Sequence, residues 1–236
     1  MTDEADDTGL AEGPVLSAST RRTLTAPRAA AVAGIVFAVL LGASLVLIRL
    51  SVPTDFADLE ISRLTGSNRG RILVALTLVP FAGIAFLWFI GVVRDRIGDA
   101  EGRFIATVFL GSGLLFLAML FVSTAVAGAL VVSAGSGGAT ADAEVWRFGA
   151  HASSTILNVY AMRMAGVFMI STATITLRTA VMPRWLAFLG YLLAVCLLFG
   201  VSSLPWAELL FPTWVLVVSI HLLLAMRRTD ESAAQP

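Results

Sequence analysis

Residues 104–133 of this 236-residue chain read FIATVFLGSGLLFLAMLFVSTAVAGALVVS, a run without a single charged side chain. Because about 20 apolar residues in a helix cross a hydrocarbon core about 30 Å thick, the run predicts a transmembrane helix. Its extra length predicts that this helix tilts or breaks near Gly128. Further apolar runs occur at 29–50, 72–93, 155–177, 184–203 and 206–226. The sequence therefore predicts an all-α polytopic membrane protein with six transmembrane helices in one bundle.

The composition agrees with a lipid environment. The chain is 58% hydrophobic and 14% charged, with a mean hydropathy of +0.88, which is too apolar for a soluble domain. A formal net charge of +0 offers no basic stripe to a nucleic acid. Lysine is absent, which excludes a Schiff-base cofactor such as retinal, and the lone Cys196 excludes an intramolecular disulfide. We expect no cofactor, and we expect the bilayer itself to be the main partner.

The arginines predict the orientation, since cytoplasmic loops are enriched in them. The side of the two termini carries Arg21, Arg22, Arg28, Arg94, Arg96, Arg103, Arg178, Arg184, Arg227 and Arg228, and the other side carries Arg63, Arg69, Arg71 and Arg147. This distribution predicts a bacterial inner-membrane protein with both termini in the cytoplasm. It also predicts a disordered acidic tail at 1–28 with a basic juxtamembrane end, a transmembrane domain at 29–226 and a cytoplasmic tail at 227–236.

Three stretches carry a family resemblance. They are VVRDRIGDAEGRFIATVFLGSGLLFLAMLF at 92–121, NVYAMRMAGVFMISTATITLRTAVMPRWLAFLGYLLAVCLL at 158–198 and LLFPTWVLV at 209–217. By these, and over about 29–226, the chain resembles uncharacterised six-helix membrane proteins common in actinobacteria. The resemblance implies six helices and an inner-membrane location. It implies no activity, cofactor or site residue.

Arg163 lies inside the apolar run at 155–177. A cation at a helix centre costs about 2.5–3.5 kcal/mol on insertion scales, so an ionisable residue at depth suggests a functional site. Arg163 could instead snorkel to the outer headgroups or form a structural ion pair. A site would need Tyr160 one turn away, Glu208, Arg49 and His151 to converge with it, and it would bind an anionic or polar ligand facing outward.

Small residues repeat every four positions in the first predicted helix, at Ala30, Gly34, Ala38 and Gly42. Such a strip lets another helix approach closely. It predicts either ordinary packing within the chain or a seam for a homodimer or a partner membrane protein.

Ser112 and His221 are the only pair whose predicted depths would suit an intramembrane hydrolase. The local string Gly-Ser-Gly lacks the G-x-S-x-G pattern of such nucleophiles, and no carboxylate at matching depth could orient His221. The outer Asp142, Glu144 and His151 match no metal-ligand spacing. These patterns favour a non-enzymatic accessory or scaffold subunit. The alternative is a small carrier or binding protein with a site centred on Arg163.

Overall fold

The computed structural model describes residues 16–51, 67–97, 103–135, 143–179, 183–200 and 206–233, all but two of which lie in helices or turns. The helices are α1 Leu16–Ser51, α2 Ser67–Ile97, α3 Arg103–Gly135, α4 Ala143–Thr155, a π-helical segment Ile156–Ala161, α5 Met162–Thr179, α6 Arg184–Phe199, a 3₁₀ turn Ala207–Leu209 and α7 Leu210–Ala233. No strand occurs among the described residues. The predicted all-α fold class is therefore confirmed.

Five of these helical stretches are long and apolar enough to cross a membrane. They are Ala29–Ser51, Arg69–Arg94, Phe104–Ser133, Glu144–Arg178 and Ala207–Ala225. The helix in the predicted run 184–203, α6, has only 16 residues, or about 24 Å at 1.5 Å per residue. A helix in a bilayer satisfies all its backbone hydrogen bonds internally, which is why such runs fold as helices.

Several boundaries differ from the sequence prediction. α3 continues without interruption through Gly128 to Gly135, so the alternative of a break there is wrong. The helix predicted to begin at residue 155 begins at Ala143 and runs on through α5. α1 begins at Leu16, inside the segment predicted as tail, because extending an existing helix needs no new nucleus. The rest of that tail, 1–15, lies outside the described residues.

The helices form one bundle. α1 packs against α2 and α7, α3 packs against α2, α4 and α5, and α5 packs against α6. We call the end where α1 and α3 end, and where α2, α4 and α7 begin, the distal end. The opposite end, which carries Leu16 and Ala233, is the proximal end.

The middle of the bundle is filled by buried aromatic rings. We call Phe37, Phe86, Phe116, Phe168 and Phe211 the phenylalanine cluster, and all five are fully buried. Ring centroids lie 4.5 Å apart between Phe37 and Phe86, and 5.2 Å apart between Phe86 and Phe168. Since lipid tails are as apolar as these rings, close packing rather than escape from water stabilises the cluster.

The small-residue strip of α1 lies against other helices of the same chain. Ala30 and Ala38 are buried, and a Cβ on Gly34 would overlap Ser219 Oγ and crowd Phe89. The other glycine of the strip, Gly42, has nothing within 4 Å of a built Cβ. The burial of the strip agrees with intrachain packing and leaves little of it for a second copy or a partner.

Helices α5 and α6 run antiparallel in close contact. A Cβ built on Gly190 would lie 3.4 Å from Ala173 Cβ, and one built on Gly166 would lie 3.2 Å from Ala194 O. The two contacts pair later residues of α6 with earlier residues of α5. The short α6 therefore follows α5 along much of its own length.

Candidate functional site

A cavity of about 310 Å³ lies near the distal end, lined by residues of α1, α2, α3, α4, the π-helical segment and the turn before α7. We call it the distal cavity. Its walls are mostly apolar and include Leu45, Ile72, Leu76, Val79 and Leu120. A volume near 300 Å³ is within the range of small-molecule sites, which combine apolar walls with a few placed polar groups.

One ion pair lines the distal cavity. Arg49 Nη1 lies 3.8 Å from Glu208 Oε1, with the side chains 31% and 16% exposed. The Arg49 guanidinium also sits 5.4 Å from the centroid of the Trp206 ring, in cation–π range. Arg49 is in the last turn of α1 and Glu208 directly precedes α7. Each charge therefore complements the dipole of its own helix end.

Two serines connect α3 to α4 along the cavity wall. Ser123 Oγ donates to Ser153 O over 2.8 Å, and Ser153 Oγ donates to Ser123 O over 2.9 Å. On the opposite side, Ser44 Oγ donates to Ala75 O over 2.8 Å and connects α1 to α2. These bonds hold four helices around the cavity without using its ion pair.

Two polar atoms of the cavity wall are buried without a hydrogen-bond partner. They are Trp146 Nε1, on a side chain 7% exposed, and Asn158 Oδ1. A buried polar group without a partner carries a desolvation cost of about 1–3 kcal/mol. Trp146 and Asn158, both residues of the cavity wall, therefore each carry one unpaired polar atom.

The π-helical segment contains the last two cavity residues of this stretch, Leu157 and Asn158. The Met162 N–H bonds to Leu157 O, five residues back. This wider turn changes which face the following residues occupy, and such turns are frequent at functional sites. Residues before it, such as Trp146 and Ser153, still follow ordinary helical spacing onto the cavity.

The phenylalanine cluster lies beneath the distal cavity. Phe37 precedes the cavity residue Ser44 by seven positions, about 10 Å nearer the proximal end, and Phe116 precedes Leu120 by four. Because the five rings are fully buried and in mutual contact, they fill the middle of the bundle beneath the cavity.

The structure brings together two of the residues predicted from sequence, Arg49 and Glu208. Arg163 and Tyr160 are exposed, as is His151 on α4, and none of the three lines the distal cavity. The cavity is therefore not centred on Arg163. The sequence prediction placed a loop where α4 lies and assumed regular helical spacing through the π-helical segment.

Arg163 has a structural partner elsewhere. Its Nε donates to Leu198 O over 3.3 Å. Leu198 is the next-to-last residue of α6, where carbonyls lack a donor within the helix and where the dipole favours a cation. Gly166, nearly one turn later, lets α6 approach α5 closely. Arg163 therefore caps the end of the short helix α6.

Trp146, Ser153 and Asn158 are cavity residues that the sequence prediction missed. The sequence contained a helical periodicity that could have identified them. The cavity residues in this part of the chain recur at helical spacing, at positions 146, 150, 153, 154, 157 and 158. That periodicity only becomes visible when the helix begins at Ala143. The glycine-rich stretch before it, 134–142, led to the later start.

Ser112 and His221 are engaged with different neighbours. Ser112 Oγ bonds to Val108 O over 2.7 Å and to Phe109 O over 3.1 Å, both in its own helix. The His221 ring lies edge to face with Trp185, with centroids 6.4 Å apart. In the described part of the chain, no group of three His, Cys, Asp or Glu residues could hold a metal ion.

Comparison of the chain with models of protein families, with curated proteins and with solved structures finds no match. The chemistry of the distal cavity is therefore the basis for assigning a function.

Proposed function

We propose that this protein is an inner-membrane protein of six spans that binds a small zwitterionic ligand in the distal cavity. The observation that carries the proposal is the ion pair of Arg49 and Glu208 on the wall of a mostly apolar cavity of about 310 Å³. A separation of 3.8 Å exceeds the 2.7–2.9 Å typical of charge-assisted hydrogen bonds. Both side chains therefore retain capacity to bind a third partner.

The neutrality of the pair supports a zwitterion. A purely anionic ligand bound to Arg49 would place its negative charge near the carboxylate of Glu208. A purely cationic ligand bound to Glu208 would place its positive charge near the guanidinium of Arg49. An uncompensated charge in an apolar site is costly. A ligand carrying both charges can give its anion to Arg49 and its cation to Glu208.

The proposed topology adds α6 as a span to the five long apolar segments, because it lies antiparallel to α5 along much of its length. The excess of arginine on the side of the termini supports cytoplasmic tails. The distal cavity then faces away from the cytoplasm. Since the phenylalanine cluster fills the bundle beneath it, the arrangement supports binding, and transport would require those rings to move. The accessory-subunit hypothesis stays a prediction.

Cysteine labelling tests ligand binding. In a Cys196→Ala background, Ala150→Cys places a thiol on the cavity wall, and Val145→Cys places one on exposed α4 outside the cavity. We expect millimolar phosphoethanolamine to slow maleimide labelling of Ala150→Cys and to leave Val145→Cys unchanged. Arg49→Met should abolish the protection. Equal labelling of Ala150→Cys with and without phosphoethanolamine would overturn the proposed function.

The same variant tests the orientation. We expect a membrane-impermeant maleimide added to intact cells to label Ala150→Cys. Labelling that occurs only in inverted vesicles would place the cavity on the cytoplasmic side.

A further inference from the structure

A second cavity, of about 350 Å³, lies between α2 and α3. We call it the lateral groove. Its lining includes Leu73, Pro80, Phe121 and Val132, and all four are exposed at the surface of the bundle. Every residue of the groove belongs to one of the two apolar segments Arg69–Arg94 and Phe104–Ser133. In a bilayer, the groove therefore faces lipid chains.

The lateral groove and the distal cavity share a wall. Leu76 of α2 and Thr124 of α3 line both of them. Across the same interface, a Cβ built on Gly128 would lie 3.8 Å from Leu76 Cδ1, an ordinary contact. The boundary between the polar site and the lipid-facing surface is therefore about one side chain thick.

The sequence accounts for the thinness of this wall. Ala125 and Gly128 present almost no side chain to the groove from α3. Pro80 lies inside α2 and has no N–H, so it leaves the carbonyl of Leu76, four residues earlier, without its helical partner. The backbone that carries Leu76 thus lacks one of its restraints. A modest change in that side chain would join the two spaces.

We infer that the ligand is an amphiphile of the bilayer, which enters the distal cavity sideways between α2 and α3. Its apolar chain lies in the lateral groove, passes Leu76 and Thr124, and ends in a zwitterionic headgroup bound by Arg49 and Glu208. This inference rests on the proposed function and adds the chain, the route and the source of the ligand. The continuity of the groove with the cavity and its position in the lipid-facing segments argue for a lipid chain as the occupant.

Quenching of tryptophan fluorescence measures the position of the chain. The full-length protein in nanodiscs is titrated with a lysophosphatidylethanolamine whose chain carries bromine. We expect quenching of the Trp146 contribution, obtained as the difference between the wild type and Trp146→Phe. A fatty acid and an alkylamine with the same brominated chain should bind roughly tenfold more weakly, because each lacks one of the two charges.

Filling the groove tests the route. Gly128→Leu should reduce quenching by the brominated lysolipid about tenfold while leaving the protection of Ala150→Cys by chain-free phosphoethanolamine intact. Gly111→Leu, at a glycine of the same helix with nothing within 4 Å of a built Cβ, is the matched control and should change neither. Ala125→Leu fills the same groove if Gly128→Leu fails to fold.

Three results would overturn the inference. Equal quenching in the Gly128→Leu and Gly111→Leu proteins would exclude entry through the groove, and equal quenching by all three brominated probes would exclude a zwitterionic headgroup. A change of oligomeric state in Gly128→Leu, measured by native mass spectrometry, would make the groove an interface between copies. In each case, protection of Ala150→Cys by phosphoethanolamine would still support the proposed function. Absence of that protection in the Ala150→Cys protein without any groove substitution would remove the proposed function.

Discussion

Replacement of Arg163 by Met separates a structural role from a binding role. Arg163 Nε donates to Leu198 O at the end of α6, and the distal cavity is lined by other residues. We therefore expect Arg163→Met to destabilise the protein and to leave ligand binding unchanged. Arg49→Met, in contrast, should abolish ligand binding, because it removes one half of the ion pair that lines the cavity.

The magnitude follows from the geometry of the cap. A hydrogen bond to a charged group contributes about 1.5–3 kcal/mol in soluble proteins, and the distance of 3.3 Å places this one at the weak end. The charge at the helix C-terminus adds about 0.3–1 kcal/mol. Interhelical hydrogen bonds in membranes average only about 0.6 kcal/mol, with a maximum near 1.7. We therefore expect a loss of about 1–2 kcal/mol.

The assay is reversible unfolding by sodium dodecyl sulfate in mixed micelles, followed by circular dichroism. Arg163→Lys keeps the charge but lacks the Nε donor, so it should recover the dipole contribution only. Arg147→Met removes an exposed arginine of α4 and controls for the loss of one charge. Unchanged stability of Arg163→Met together with loss of phosphoethanolamine binding would refute the capping role and restore Arg163 to the site.

Three further predictions concern packing, and each is measured by the same unfolding assay. Ser153→Ala removes the hydrogen bond from Ser153 Oγ to Ser123 O, while Ser123 Oγ can still donate to Ser153 O. We expect a cost of about 0.6–1.7 kcal/mol, and unchanged stability would contradict a role of this bond in joining α3 to α4. Gly34→Val would overlap neighbouring side chains and should lower the free energy of unfolding by about 1–3 kcal/mol. Gly42→Val, in open space, should change that free energy by no more than about 0.5 kcal/mol. Equal effects of the two substitutions would contradict the burial of the strip. Phe86→Ala should lower the free energy of unfolding by about 3 kcal/mol, the low end of the range for buried aromatics, because only packing is lost. A cost below about 1 kcal/mol would show that the phenylalanine cluster repacks.

Much of the fold was predictable because it depends on local composition. Apolar runs specify helices in a bilayer, and four of the five long apolar segments begin and end within a few residues of the predicted runs. The exception is Glu144–Arg178, where a stretch of modest hydropathy, 143–154, was interpreted as a loop. That stretch is stabilised by packing on α3, through Trp146 and Ser153, and such support is invisible in the composition of the stretch itself.

The candidate site was predictable only in part. Arg49 and Glu208 could be selected because each is a charge at the end of an apolar run. Their pairing depends on α1 and α7 being neighbours, which neither run reveals. Arg163 was selected by the same criterion, yet it is engaged by the end of α6. A charge in an apolar run signals that a partner is needed, and the arrangement of the helices decides which partner it finds.

The sequence alone determined that this protein is helical and resides in a membrane, because the length and hydropathy of each run are properties of that run. The small-residue strip of α1 likewise predicted close packing against another helix. Only the tertiary structure decided that Arg49 faces Glu208, that Asn158 lines the distal cavity, and that Leu76 and Thr124 line both this cavity and the lateral groove. Each of these depends on contacts between residues distant in the chain. Such contacts are not encoded in the hydropathy of any single helix.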